Sequence, residues 1–197
     1  MLIRIILNEV KDWVELIFVT NIPGRIGVVL RQIYWRLRLS KCISMSLGCG
    51  CRITGSRNIS LGKNVNIMHN CNLYAHNNGR IVVGSRVSLN SNVQLGAADF
   101  GEIIIGDDVA IGPNVVIRAS NHEYHDKNMP INKQGHIGGR ITIEDDVWIG
   151  SNSVVLPNVV IHKGAVIGAG AVVNRDVPSF ALAVGVPARV IKENCRE

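Results

Sequence analysis

The chain of 197 residues is long enough for one domain with a sizeable core, and at 47% hydrophobic but 5% aromatic that core must be aliphatic. Twenty glycines against six prolines point to tight turns rather than disorder. The formal charge of +6 is concentrated in residues 1–41, where seven Lys/Arg stand against three Asp/Glu, so the body lacks the basic stripe of a general nucleic-acid binder.

Residues 1–42 form an apolar, basic segment expected to be helical. Its most apolar stretch, WVELIFVTNIPGRIGVVL, contains Glu15, Asn21, Pro23 and Arg25, so it is not the clean run of eighteen or more residues that a membrane span needs. No compact apolar run precedes a small-residue cleavage site, so a cytoplasmic location is expected. Further on, Ile26, Val29, Leu30, Ile33 and Leu37 recur at helical spacing among Arg25, Arg31, Arg36, Arg38 and Lys41. Two readings stay open. The helix lies on the inner face of a membrane, making residues 1–41 a peripheral contact, or it packs against the body or a neighbouring subunit.

From Leu61 onward the chain keeps a six-residue count. Leu61, Ile67 and Leu73 are followed by Val83, Leu89 and Leu95, then Ile105, Ile111 and Ile117. Ile143, Ile149 and Val155 come next, and Ile161, Ile167 and Val173 last. A second slot four residues after each holds small or β-branched residues such as Val65, Cys71, Val115, Ser153 and Ala171. Gly, Asn and Asp fill the positions between, and these residue types tolerate positive φ. Six residues therefore make one short strand and one turn, and three such units close a triangular coil. Leu47 and Ile53 suggest a further, less regular coil below. A helix is excluded, because a six-residue period does not hold one face at 3.6 residues per turn. The fold class predicted is all-β, a parallel β-helix of five to six coils. The expected divisions are an N-terminal segment to residue 42, the β-helix over 43–178 and a tail over 179–197.

The count breaks three times, always after the third strand of a coil. Leu73 to Val83 and Leu95 to Ile105 are each ten residues, and Ile117 to Ile143 is twenty-six. The insertions must leave one corner and stack along one edge, the longest forming a loop arm over 119–140. Large insertions on one face of a repeat fold are commonly functional. His122 lies at the root of this arm and His125 further out, with Glu123 and Asp126 as candidates to orient an imidazole. A general base and a solvated surface histidine are both open from spacing alone. Trp148 precedes an inward slot, so its ring should point outward, lining a groove or packing under the arm. Arg175, Arg189 and Lys192 gather late in the sequence, as phosphate ligands or as solvated charge. No P-loop or Rossmann glycine pattern accompanies them. The five cysteines form no C-x-x-C pair and read as reduced thiols, and no metal site is expected.

The hexapeptide units, the arm carrying SNHEYHD, and the stretch ITIEDDVWIGSNSVVLPNVVIHKGAVIGAGAVVNRDVPSFALAVGVPARVIK together resemble the left-handed β-helix acyltransferases. The branch is the maltose/galactoside O-acetyltransferase-like group, which includes enzymes of surface-polysaccharide biosynthesis. The left hand comes from the resemblance, since crossover connections otherwise favour the right. The resemblance implies a homotrimer with acetyl-CoA in clefts between subunits and no metal. It implies direct O-acetylation of a sugar or lipid-linked glycan, with His122 deprotonating the acceptor hydroxyl. Asn92 and Trp148 match acceptor-side positions. Ser151, Ala169, Asn174, Arg175, Arg189 and Lys192 match CoA-binding positions, with Asn174-Arg175 in place of the commoner Thr-Lys. Xenobiotic acetylation, a non-catalytic β-helix scaffold and a zinc-dependent lyase are the alternatives.

Overall fold

The computed structural model describes residues 6, 9–10 and 13–196. Its body is a triangular solenoid whose rungs climb in chain order. The first face stacks Lys41–Cys42, Ile59–Leu61, Arg80–Val83, Glu102–Ile105, Arg140–Ile143 and Val159–Ile161. The second runs from Met45–Leu47 and Val65–Ile67 up to Trp148–Ile149, Val166–Ile167 and Leu182–Val184. The third starts at Arg52–Thr54 and ends at Val172–Val173. Six rungs visit all three faces, and the lowest, holding Leu47 and Ile53, is as regular as the others. The tail adds Leu182–Val184 in parallel to the second face, and Arg189–Lys192 returns antiparallel along it.

The register makes columns of like residues. Ile105 pairs with Val83 below and Ile143 above, and Ile117 with Leu95 and Val155. Every six-residue slot is essentially closed to solvent, from Leu61 to Val173. The second slots are closed too, including Ser153, whose hydroxyl donates to the carbonyls of Gly150 and Gly168. Burying each Leu, Ile or Val contributes roughly 1.5–3 kcal/mol. Immediately before the second slot the chain must turn. Asn64, Asn70, Asn92, Asn114, Asn152 and Asn158 take that position with φ between 57° and 63°. Asparagine visits this region more readily than other non-glycine residues because its short amide bonds locally. Here the amides also stack, Asn92 donating to Asn114 at 2.9 Å and Asn114 to Asn152 at 3.0 Å. The described cysteines are all reduced, and Cys51 and Cys71 lie in the core.

A stack of parallel strands leaves an open lower edge. Helix α1, Gly24–Arg36, closes it. Gln32 Nε2 donates to the Met45 carbonyl at 2.6 Å, and Arg31 Nε to that of Leu47 at 2.7 Å. Arg31 Nη1 also reaches the carbonyls of Ile22 and Val19, at 2.7 and 3.2 Å. The guanidinium is fully buried, yet three donor contacts to carbonyl dipoles compensate for the lost water. Trp35 and Leu39 then plug the floor of the core. The helix meets the body through a stripe of Gly27, Arg31 and Trp35, while Ile26, Val29, Leu30, Ile33 and Leu37 face outward. No described helix is long and apolar enough to cross a membrane.

Trp35→Ala should lower the unfolding free energy in urea by about 3–5 kcal/mol, the usual cost of deleting a buried large aromatic side chain. Arg31→Met should cost at least about 2 kcal/mol by stranding buried carbonyls.

Candidate active site

The three insertions do stack along the edge between the third and first faces. Asn77 lies in the first, Asp99 in the second and the arm forms the third. The arm begins as an antiparallel ladder in which Ser120–His122 pairs with His136–Gly138. Its return strand lies on the turn below. A Cβ at Gly138 would come within 2.2 Å of the Asp99 carbonyl oxygen, so only glycine fits this close approach. Further out, Gln134 Nε2 donates to the carbonyls of Asp126 and Met129, both at 2.7 Å, which ties the loop across itself.

The ladder register sets His122 opposite His136, with ring centroids 4.1 Å apart. Asp99 Oδ2 lies 3.5 Å from His136 Nδ1, and Asn77 Nδ2 donates to Asp99 Oδ1 at 2.9 Å. A polar chain therefore runs through all three insertions and ends at His122, which is exposed. Of the two carboxylates that could orient an imidazole, Glu123 lies 3.6 Å from His125 Nε2 rather than against His122, and the hydrogen bonds of both run to the loop backbone. Glu123 Oε1 accepts from the backbone N–H groups of Tyr124 and His125, and Asp126 Oδ1 from that of Asn128. His136 and Asp99 were missed because their proximity depends on hairpin register and on the stacking of separate insertions. The nearly symmetric placement of two histidines about a polar loop was the one available signal. His125 is solvent-facing at 78% side-chain exposure.

The remaining candidates fall into two groups on different sides of the prism. Asn174 and Arg175 follow the last strand of the third face, on the same edge as the arm and two rungs above its root. Asn92, Ser151 and Ala169 lie instead at turns between the second and third faces. Trp148 is on the second face, 54% exposed, away from the edge that carries its own arm. Arg189 and Lys192 extend that side, opposite Val184 and Leu182. They flank an exposed terminal strand, where cations also discourage edge-to-edge pairing. Thus the arm edge offers His122 and Arg175, while the second side offers an aromatic ring, small corner residues and two cations. One chain does not bring these together.

The second side presents an open column of small residues. Ser151 and Ala169 stand one rung apart, with little side chain to obstruct a ligand, and the terminal strand places cations two rungs beyond. At about 4.8 Å per rung the column from Trp148 to Arg189 is on the order of 15 Å long. Among the described residues, no group of three or more His, Cys, Asp or Glu is arranged to hold a metal ion.

Residues 140–175 match the bacterial transferase hexapeptide (six repeats) family model. A 53-residue stretch is 53% identical to the 2,3,4,5-tetrahydropyridine-2,6-dicarboxylate N-acetyltransferase of Staphylococcus aureus, covering 27% of this chain and 22% of that protein. The match spans about a quarter of the length of such curated relatives. A mutant form of AntD, an N-acyltransferase from Bacillus cereus solved with dTDP-4-amino-4,6-dideoxyglucose and coenzyme A, is similar in fold. Its TM-score is 0.71 at 24% identity, over 84% of this chain and 89% of that one. A maltose O-acetyltransferase from Clostridium difficile is similar with a TM-score of 0.62 and 26% identity, over 89% of this chain and 80% of that one. The chain carries the hexapeptide repeat and the β-helix fold of these acyltransferases.

Gly138→Ala should lift the arm from the turn beneath it. Trypsin should then cut faster at Lys127 and Lys133, while the solenoid retains its thermal midpoint. Unchanged cleavage would show that the arm does not rely on this contact.

Proposed function

We propose that this hexapeptide-repeat β-helix is an acetyl-CoA-dependent acyltransferase that acetylates a sugar hydroxyl, in clefts shared between neighbouring copies of a homotrimer. The observation that carries the reading is the division of the site. One side holds the base candidate on its arm, and the other holds the column suited to coenzyme A. A closed ring of identical subunits sets one side of each copy against the other side of the next.

In such a cleft Ser151 and Ala169 would border the pantetheine, and Arg189 and Lys192 would meet phosphates by charge-assisted hydrogen bonds. Arg175 of the adjoining copy would add charge from the arm edge. Coenzyme A supplies the activated acyl group as a thioester. His122 would accept the proton of the acceptor hydroxyl as its oxygen bonds to the acyl carbon, and would return it to the departing coenzyme A thiolate as the acyl C–S bond breaks. The His136 ring holds the imidazole against the ladder, and Asp99 anchors His136, which makes both positioning residues. Asn92 and Trp148 would border the acceptor. The acceptor class is a sugar of a surface polysaccharide or its lipid-linked precursor, supported by the broad similarity to a maltose O-acetyltransferase and by the basic, apolar N-terminal segment. An amino-sugar acceptor is the second reading, favoured by the fold likeness to a sugar N-acyltransferase.

His122→Ala should lower turnover by about 10²–10⁴-fold with little change in coenzyme A affinity, the usual worth of a general base. A crippled His125→Ala with a mild His122→Ala would show that the base is misassigned. Thiol release across hydroxyl and amino sugars separates the two acceptor readings, and failure to bind coenzyme A at millimolar concentration overturns both.

Shared clefts make a separate prediction. His122→Ala and Ala169→Trp each disable a different side. Co-expressed at equal levels, they should recover roughly a quarter of wild-type activity, because every mixed trimer contains one intact cleft of three. No recovery in verified mixed trimers would mean that each chain carries its own complete site.

A further inference from the structure

Helix α1 uses one stripe to close the solenoid and leaves another bare. Ile26, Val29, Leu30, Ile33 and Leu37 fall within about a third of the helix circumference at 100° per residue. Ile26 is 73% exposed, Ile33 57% and Leu37 71%. Just before the helix, Trp13, Ile17 and Phe18 are also exposed. Single exposed apolar residues are ordinary, but a continuous stripe of this kind marks an interaction surface.

The charge around it is one-sided. Residues 16–98 contain ten Lys/Arg and no Asp or Glu, whereas residues 99–197 contain nine and twelve. Because the rungs climb in chain order, this separates charge along the solenoid axis. Helix α1 and the first three rungs form a positive end, and twelve acids lie from the second insertion upward; at the cap, Glu15 Oε2 accepts from the Tyr34 hydroxyl at 2.6 Å, and Glu9 lies further back in the sequence. Arg31 is consumed by backbone carbonyls, and Arg80 and Arg86 pair with Glu102 and Asp108 one rung above. Arg25 and Arg36 are exposed on the helix itself, about a quarter-turn from the apolar stripe, and Lys41 follows.

We infer that this end is a docking surface for an anionic lipid bilayer, with α1 lying in the plane of the interface. The apolar stripe suits the acyl boundary, an exposed Trp suits the headgroup level, and the excess of Lys/Arg over acids at this end suits anionic headgroups. A nucleic acid would use the charge but not the stripe. A second copy docked face to face would set two positive ends together. At 13 residues the helix is too short to span a bilayer, so it lies on the surface.

The test is flotation of the full chain with vesicles of phosphatidylglycerol and phosphatidylcholine, compared with phosphatidylcholine alone. The wild type should float with the anionic vesicles at low salt and be released as salt rises. Ile33→Glu combined with Leu37→Glu should lower the partition coefficient at least tenfold without shifting the thermal midpoint, since neither side chain contributes to the core. Arg25→Gln and Arg36→Gln should each lower it about fivefold, the worth of one cation near such a surface. Wild type left in the soluble fraction at low salt overturns the inference, as does equal flotation of the double glutamate variant. A smaller assembly for that variant in sedimentation velocity also overturns it, by making the stripe a contact between copies. None of these readouts depends on the acyltransferase reading.

Discussion

Everything in this molecule depends on one local requirement. At nearly every six-residue step the backbone takes a positive φ and then buries the next side chain. Asparagine, aspartate and glycine satisfy this at most corners, with Arg86 at one, and the inward columns of Leu, Ile and Val follow from it. The strands themselves are only two to four residues long, so no strand is stable alone. Each rung is held by ladder bonds to the rungs above and below and by its share of a continuous core. A residue added within a rung would turn inward side chains outward along that face. Insertions are therefore confined to corners, where the path between strands can lengthen without disturbing register.

That confinement builds the candidate site. Three insertions leave the same corner at consecutive rungs, and rung spacing brings them into contact. Asn77, Asp99 and the His122–His136 pair come from segments separated in sequence, yet the solenoid stacks them as it stacks its core residues. The arm gains order from close backbone approach at Gly138 and from Gln134 bonding across the loop. Precision on an otherwise exposed loop thus derives from the rigid repeat beneath it.

The two ends of the stack meet the edge problem differently. At the bottom, side chains of α1 supply hydrogen-bond donors to strand carbonyls, and Trp35 seals the floor. At the top, the chain doubles back as an antiparallel strand bearing Arg189 and Lys192. Closing the lower end consumes only one stripe of α1. The opposite stripe is a by-product of using a helix rich in apolar residues on two sides, and it carries the proposed membrane contact.

The period of six, the triangular coil, the inward slots and the common origin of the insertions were legible in the sequence, because they are local and repeated fifteen times. The outward direction of Trp148 followed from strand alternation, and the hexapeptide resemblance over the later rungs agreed with the family match. His122 was legible as an arm-root residue, but its neighbours were not. Partnership with His136 depends on hairpin register, and the approach of Asp99 depends on the stacking of one insertion on another. The role of Arg31 was equally hidden, since an arginine in an amphipathic segment reads as surface charge until the carbonyls that surround it are known. The sequence alone determined the repeat, because each rung obeys a rule six residues long. Only the tertiary structure decided which side chains meet across rungs, which side of the prism each candidate occupies, and which stripe of the helix is left in water. Those relations lie between segments far apart in the chain, where no local period reaches.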